Sequence, residues 1–328
     1  MLKAVINKIG LLLFFNTLFV NLLKANNYST TNCTVTKNIQ NFTQAQPTQG
    51  KLKVVVIDAG HGGKDVGAVG LQSTEKQITL AVAKKLHAKL SANYTDIKFV
   101  LTRSTDTYDN VKTKASKANK ANGNLFICIH VNSSGTKPGG WFKTVNGSRV
   151  YIKNEAHGTE SFVWAADKTE SKENFISNQN KRYVSQYETA NLSANVTSHE
   201  QKIAASLKAK RYFKNSVLFA NLIEAENKKI GRFSRGIKQR NDEGIWVLQA
   251  TGMPSVLTEI GFNSNLEEEA YLVSNDGQNQ IVDCISNAFA KYKDIIDNVN
   301  SVNLPSVRKK KLLYIVNNNP YLAKPWLI

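Results

Sequence analysis

The sequence is poor in cysteine, proline and acidic residues. Three cysteines and six prolines occur in 328 residues, and 25 Asp and Glu stand against 43 Lys and Arg. Three widely spaced cysteines exclude a dense disulfide framework and a metal site of the Cys-x-x-Cys kind. The scarcity of acids leaves a formal net charge of +18. That charge favours either an anionic partner or a general bias toward lysine without a binding role.

A long apolar run occurs near the N-terminus, at residues 9–23. A lysine-containing start precedes it, and Ala25 stands before a polar stretch. The run is shorter than the ~20 residues that a spanning helix needs, and Asn16 and Asn21 interrupt it, so a stable membrane anchor is disfavoured. The pattern predicts a secretory signal peptide over residues 1–25, cleaved after Ala25, and a protein that works outside the cytoplasm.

Composition divides the rest of the chain. Residues 26–50 are rich in Asn, Thr and Gln and are predicted to be a linker. Residues 51–297 are predicted to fold as one domain, and residues 298–328 form a basic tail without acids. Within the domain, residues 141–211 are polar and lack a clear period. This segment is too long for an ordinary connection, which predicts a functional lid or a disordered insertion.

Short apolar runs alternate with amphipathic segments from residue 51 onward. The predicted strands are 54–58, 98–102, 125–130 and 255–260, and the predicted helices are 75–90, 111–119, 206–227 and 278–292. This alternation predicts an α/β fold with a central, mostly parallel sheet flanked by helices, and a long insertion near the active site.

Three predicted strands end in groups that bind metals or move protons. The first leads into a glycine-rich loop with His61, the second ends on His130, and the third ends on Glu259. Ligands of open α/β sheets bind beyond the carboxyl ends of the strands, so we expect these groups to converge. A phosphate-binding loop is disfavoured, because the loop lacks the Lys-Ser/Thr ending of a P-loop and the spacing of a dinucleotide fingerprint.

Glu75 begins a predicted helix, with Thr74 and Gln77 spaced as a capping box. A carboxylate at this position often does no more than complement the helix dipole. Together with two histidines, however, it completes the His2Glu ligand set of a catalytic zinc site, in which a fourth position stays open for water. Glu259 would then accept the proton of that water.

Four motifs in this order resemble those of the zinc-dependent N-acetylmuramoyl-L-alanine amidases, the cell-wall amidases that help separate daughter cells. The motifs are Ile57–Gly70 followed by Glu75, Leu101–Asp106, Leu125–Asn132 and Val256–Asn265. The resemblance covers residues 51–297. It implies one Zn²⁺ per chain held by His61, Glu75 and His130, with Glu259 as the catalytic carboxylate. The implied reaction cleaves the amide between N-acetylmuramic acid and L-alanine in peptidoglycan, in the periplasm or the cell wall.

The sequence departs from the family pattern at two positions. Val66 stands where the family usually has proline in Asp-Pro-Gly, and Lys114 stands where it usually has arginine. Neither position is a proposed metal ligand. Both departures bear on substrate contacts more than on the metal.

The insertion resembles the family's regulatory segment, in which a helix covers the active site until a protein activator displaces it. A carboxylate of that helix can occupy the open position of the zinc. Glu173 is the candidate for this autoinhibitory group. Glu170 and Glu188 are alternatives, and each of the three also fits a solvated surface charge.

Two other functions fit the residues, namely an exported zinc peptidase and a non-catalytic wall-binding protein. A nucleic-acid partner is disfavoured, because export is predicted and the basic residues are not interleaved with aromatic ones. Arg103 and Asp106 are predicted to pair with each other or to cap the next helix rather than to contact substrate.

Overall fold

The computed structural model describes residues 51–135, 137–164, 169–170, 172–174, 176, 198–240 and 245–300. The elements in chain order are β1 (Val54–Ala59), α1 (Glu75–Asn93), β2 (Lys98–Leu101), α2 (Val111–Lys120), β3 (Leu125–Asn132), β4 (Gly140–Val145), β5 (Ser148–Lys153), β6 (Thr159–Phe162), α3 (Ser198–Lys229), β7 (Ser234–Lys238), α4 (Trp246–Ala250), β8 (Ser255–Phe262), α5 (Leu266–Val273) and α6 (Asn275–Asn300). The predicted signal peptide and linker lie outside the described residues. Helix α6 extends three residues into the predicted tail, and the rest of the tail lies outside as well.

Six strands form the central sheet in the order β2-β1-β3-β8-β6-β7. Strands β2, β1, β3 and β8 are mutually parallel, whereas β6 runs antiparallel to β8 and parallel to β7. Helices cover the sheet, so the predicted α/β fold with a mostly parallel sheet is confirmed. Strands β4 and β5 form a separate antiparallel hairpin.

The parallel strands are apolar along their length because both of their faces are covered. Val55 and Ile57 of β1 pack with α1, α6 and the second half of α3, in a cluster that includes Leu86, Ile223 and Phe289. Alternate residues of the same strands pack on the opposite face against α2, α4 and the first half of α3. The sheet therefore has a hydrophobic layer on each side.

The order in which strands are added to the sheet reverses at β1, because β2 lies on one side of β1 and β3 lies on the other. Helix α1, which connects β1 to β2, packs on one face of the sheet, and α2, which connects β2 to β3, packs on the other. A crevice opens at such a switch point beyond the carboxyl ends of the strands. Gly60 N donates to Ile129 O at 2.9 Å, which ties the two strand ends together there.

Part of the segment 141–211 contributes regular structure to the domain. It contains β5, β6 and the first half of α3, and β6 lies between β8 and β7 in the central sheet. Strand β6 buries Thr159, Glu160 and Ser161, so it has no apolar alternation by which sequence reasoning could detect it. Helix α3 begins at Ser198 rather than near residue 206.

Among the described residues, no helix combines the length and the apolar character needed to cross a bilayer.

Candidate metal centre and active site

The loop after β1 presents His61 to the crevice. His61 has φ 57°, which is uncommon for a residue other than glycine. Gly62 at φ 134° and Gly63 at φ 57° follow it, and glycine adopts such conformations at little cost. Buried Arg103 donates to the carbonyl oxygens of Ala59 at 3.0 Å and of Gly60 at 2.8 Å, which fixes the start of the loop.

The two ring nitrogens of His61 have different partners. Nδ1 lies 2.8 Å from Asp65 Oδ1, and Nε2 lies 3.1 Å from Glu75 Oε2. A carboxylate on one nitrogen orients a histidine so that the other nitrogen is available to a metal. Asp65 therefore directs Nε2 of His61 toward Glu75.

Glu75 is the first residue of α1 and is buried. Its Oε2 accepts from Ala68 N at 2.8 Å and its Oε1 accepts from Val131 N at 2.9 Å. A Cβ at Gly67 would lie 2.5 Å from Glu75 Oε2 and 2.7 Å from the His61 ring. This close approach requires a glycine beside the two side chains. Val66, the first departure from the family pattern, lies next to it and is exposed.

His130 of β3 completes a cluster of three side chains. Its Nδ1 lies 2.8 Å from Glu75 Oε1, and its ring is 4.9 Å from the His61 ring at an interplanar angle of 74°. One potential ligand atom from each of His61, Glu75 and His130 lies within 4.8 Å of the other two. Two imidazole nitrogens and one carboxylate oxygen are the donor set of a catalytic zinc site, so these residues fit the metal.

The electrostatics of the cluster favour added positive charge. Burial alone would raise the pKa of Glu75, but the hydrogen bonds and charges of His130 and His61 lower it. Burial alone would lower the pKa of His61, but Glu75 and Asp65 raise it. A buried carboxylate shared by two imidazoles therefore attracts either a proton or a metal cation into the space between them.

Glu259 faces the same pocket from β8, where its Cα pairs with that of His130. The side chain is buried, and no described residue hydrogen-bonds to its Oε2. Burial raises the pKa of Glu259 to about 7; the charge of His130 opposes this rise, and the charges of Glu75 and Glu160 add to it. An unpartnered carboxylate that titrates near neutrality suits proton transfer.

These groups line a cavity of about 320 Å³. Its walls are His61, Ala68, Glu75, His130, Val131, Asn132, Ser133, Phe162, Arg240, Ile245, Leu257 and Glu259. The predicted ligands and the predicted catalytic carboxylate are thus brought together at one edge of the sheet.

A second carboxylate beside Glu259 was not predicted from the sequence. Glu160 of β6 is paired with Glu259 across the strands and is buried. Asn132 Nδ2 donates to its Oε1 at 2.6 Å, and Lys238 Nζ of β7 pairs with its Oε2. Arg240 lies with its guanidinium 5.0 Å from the Phe162 ring centroid and lines the pocket. Asn132 ends one of the four sequence motifs, but no motif includes Glu160, Lys238 or Arg240.

Lys114, the second departure from the family pattern, lies beneath the pocket. Its Nζ donates to Ala59 O at 2.6 Å and lies 3.2 Å from Asp58 Oδ1. Burial alone would raise the pKa of Asp58, but Lys114 and hydrogen bonds from Cys128 and Thr102 lower it. Lys114 thus supports the end of β1 from below and does not line the pocket.

Arg103 and Asp106 interact electrostatically, as predicted for a pair, but their hydrogen bonds go to other groups and neither caps the next helix. Arg103 donates to backbone carbonyls, including that of Lys76 at 2.9 Å, whereas Asp106 accepts from Gly63 N at 2.7 Å and pairs with Lys76 Nζ at 2.6 Å. Asn110 caps α2 instead, by accepting from Thr113 N. Both charged residues hold the His61 loop against α1.

Glu269 of α5 organises the loop that precedes Glu75. The buried carboxylate accepts from the backbone nitrogens of Leu71, Gln72 and Ser73 at 2.8 to 3.0 Å and from Ser73 Oγ at 2.7 Å. Sequence reasoning missed this residue because its partners lie almost 200 positions earlier in the chain.

The structure does not bring Glu173 into the pocket. It is half-buried beside Lys172, whose Nζ donates to Leu248 O at 2.6 Å and to Ser255 Oγ at 3.2 Å, at the start of β8. Glu259 lies toward the other end of that strand. Glu170 is exposed, and Glu188 lies outside the described residues.

The sequence has relatives among known amidases. It matches a family model described as N-acetylmuramoyl-L-alanine amidase over residues 55–291. It is 28% identical to AmiC of Escherichia coli O6:H1 over 252 residues, which cover 74% of this chain and 54% of that protein. It is 29% identical to AmiA of Escherichia coli K12, over 80% of this chain and 83% of that protein. The chain thus spans about half the length of the first relative.

Solved structures share the fold. An N-acetylmuramoyl-L-alanine amidase from Clostridium difficile 630 is 25% identical, has a TM-score of 0.50, and is matched over 74% of this chain and 98% of that one. The CwlD amidase from Clostridioides difficile, solved with the GerS lipoprotein, has a TM-score of 0.50 at 22% identity over 74% of this chain and 99% of that one. The family match spans every residue of the pocket, and the chain belongs to the N-acetylmuramoyl-L-alanine amidase family.

Proposed function

We propose that this protein hydrolyses the amide bond between N-acetylmuramic acid and L-alanine in peptidoglycan, with one Zn²⁺ held by His61, Glu75 and His130. The observation that carries the proposal is the convergence of these three side chains with Glu259, whose Oε2 lacks a hydrogen-bond partner among the described residues. Family membership supports the choice of substrate.

The chain's own residues divide the work. The bound metal would supply a Lewis acid that polarises the carbonyl and acidifies water. Glu259 Oε2 accepts a proton from the attacking water and passes it to the amide nitrogen of L-alanine as the C–N bond breaks. Asp65 and the backbone nitrogens of Ala68 and Val131 hold His61 and Glu75 in place, so the ligands need little rearrangement.

The proposal extends to the place and purpose of the reaction. The predicted signal peptide over residues 1–25 would export the chain across the inner membrane, to act in the periplasm or at the cell wall. There the cleavage would remodel the wall and help daughter cells separate. The domain boundaries predicted from the sequence, a catalytic domain at 51–297 and a basic tail after it, belong to the same proposal.

A protein activator that displaces a regulatory part of residues 141–211 is also proposed, with Glu173 as the autoinhibitory carboxylate. Its support is the resemblance of this segment to the family's regulatory segment. A solved structure of the same fold was itself obtained with a lipoprotein partner. In the described state, reaching the pocket would require Glu173 to move, because the neighbouring Lys172 is anchored at the start of β8.

The experiment is to digest purified peptidoglycan with the full chain, with and without a zinc chelator, and to identify the products by mass spectrometry. The expected products are free stem peptide with a new N-terminal alanine and glycan with intact disaccharides, formed only without chelator. Cleavage within the stem peptide would instead identify a zinc peptidase. Binding without cleavage or bound metal would identify a wall-binding protein.

A further inference from the structure

The β4–β5 hairpin is attached at its base to the loops that follow β3 and β8. Gly139 N, just before β4, donates to Ser264 O at 2.9 Å, and Ser134 N donates to Ser264 Oγ at 3.1 Å. Asn154, just after β5, donates from its backbone nitrogen to Gly139 O at 3.1 Å. These bonds attach the hairpin to the loops that follow β3 and β8. Strands β3 and β8 carry pocket residues, so the base of the hairpin lies beside the cavity.

One face of the hairpin carries aromatic rings and a guanidinium. The register pairs Phe142 with Tyr151 and Thr144 with Arg149, which places these four side chains on the same face. The two rings are 5.2 Å apart, and the Arg149 guanidinium lies 4.3 Å from the Phe142 centroid. We call Phe142, Thr144, Arg149 and Tyr151 the aromatic face.

The aromatic face is exposed to solvent. Phe142 is 56% exposed and Tyr151 is 48% exposed. A two-stranded hairpin has almost no core of its own, and aromatic and arginine side chains dominate the energy of binding surfaces. Burial of these rings against a partner is favourable, so their exposure in the free protein marks the face as an interaction site.

The charge and position of the hairpin identify the partner. Residues 140–153 contain Lys143, Arg149 and Lys153 and no acid, and Lys153 pairs with Glu267 at the base. A cavity of about 320 Å³ is at the small end of ligand sites. It accommodates the bond to be cut and its immediate neighbours, while the rest of a polymer lies on the surrounding surface. Peptidoglycan presents both sugar rings, which stack on aromatic side chains, and stem-peptide carboxylates, which pair with arginine.

We propose that the aromatic face is a docking surface for the peptidoglycan chain next to the bond in the pocket. Sugar rings pack on Phe142 and Tyr151, and a stem-peptide carboxylate pairs with Arg149. This inference rests on the proposed function, because the substrate is the polymer named there. It adds that the enzyme distinguishes polymeric wall from small fragments by a surface outside the pocket.

The test compares the double variant F142A/R149A with V150A in the full chain. Val150 is 42% exposed and lies on the opposite face of the same strand, so V150A controls for loss of hairpin stability. The ratio of kcat/KM on insoluble peptidoglycan, freed of other wall polymers, to kcat/KM on a soluble muramoyl peptide is measured for each. The ratio should fall about 10-fold in F142A/R149A, as expected for loss of a binding hot spot, and should not change in V150A.

A second measurement keeps the inference separate from the proposed function. Each variant is combined with Glu259→Gln, and the fraction that sediments with purified peptidoglycan is measured. F142A/R149A should lower this fraction and V150A should not. If the wild type cleaves neither substrate, the proposed function fails, and sedimentation still decides the docking surface.

Three results would overturn the docking surface. The first is an unchanged ratio together with unchanged sedimentation of F142A/R149A. The second is an equal loss in V150A, which would assign the effect to hairpin stability. The third is a concentration-dependent dimer of the wild type that F142A/R149A makes monomeric with unchanged sedimentation, because the face would then bind a second copy of the chain.

Discussion

The two sides of the pocket satisfy their carboxylates in different ways. On the side of β1 and β3, both oxygens of Glu75 have partners, with Ala68 N and Val131 N supplementing the two imidazoles. On the side of β8, Oε2 of Glu259 has no partner among the described residues. The first side is preorganised to hold a cation in a fixed geometry, and the second leaves a carboxylate free to take up and release a proton.

Replacement of His130 by alanine tests the preorganised side and should have the largest effect. It removes one of three ligands, so zinc content should fall well below one per chain. Activity on peptidoglycan should fall by more than about 10³-fold, because the metal supplies several kcal/mol of transition-state stabilisation. Metal analysis and product release measure the two effects. Replacement of the exposed His157 by alanine is the control. Full zinc content in His130→Ala would remove His130 from the ligand set.

Replacement of Glu259 by glutamine tests the other side. The amide keeps the shape of the side chain but does not accept a proton, so turnover should fall by about 10² to 10⁴. Zinc content should stay at the wild-type value, because Glu259 is not one of the three clustered ligands. The comparison of zinc content with turnover separates this variant from His130→Ala. Near-normal turnover would show that proton transfer does not depend on Glu259.

Replacement of Glu269 by glutamine should produce a smaller effect on the ligand side. The carboxylate holds the loop before Glu75 through three backbone nitrogens. Groups that hydrogen-bond directly to a metal ligand typically contribute 10- to 100-fold to metal affinity, and Glu269 acts on Glu75 only through this loop, so its effect should lie at the lower end of that range. We expect zinc to bind about 10-fold more weakly, as measured by competition with a chelator. Glu267→Gln, on the exposed side of the same helix, should leave the affinity unchanged. An unchanged affinity in Glu269→Gln would mean that the loop holds Glu75 without help from α5.

The same contrast explains what the sequence could predict. Strands β1, β3 and β8 are apolar runs whose ends carry His61, His130 and Glu259, so both their fold and their convergence follow from local pattern and the rules of parallel sheets. Their surroundings do not follow in this way. Strand β6 is polar, and its place in the sheet depends on partners supplied by α3 and β7.

Long-range contacts account for most of the site residues and partners that the sequence did not predict. Glu269 has the sequence context of an ordinary exposed helix charge, and it is buried only because the loop at 71–73 lies against it. Arg103 and Asp106 are close enough in sequence to predict a mutual pair, yet each finds stronger partners in the His61 loop. Glu160 faces Glu259 only once β6 has entered the sheet.

The smallest effect is expected at Glu224, beneath β6 and β7. Three hydroxyls, of Thr159, Ser161 and Ser234, donate to this carboxylate, yet burial raises its pKa despite these bonds and the charge of Lys228. A raised pKa means that the folded state holds the proton more tightly than the unfolded chain. The stability that this proton contributes is present at low pH and is lost as the pH rises through the folded pKa.

Glutamine does not titrate, so the Tm of the wild type relative to Glu224→Gln should rise as the pH falls from 7 to 4.5. A change of about 1 kcal/mol corresponds to about 2 to 4 °C in a domain of this size. The difference between the two proteins cancels the titration of other groups, including the metal ligands. A Tm difference that stays constant or shrinks toward low pH would show that the three hydroxyls already compensate the charge of Glu224, as Lys114 does for Asp58 on the other side of the molecule.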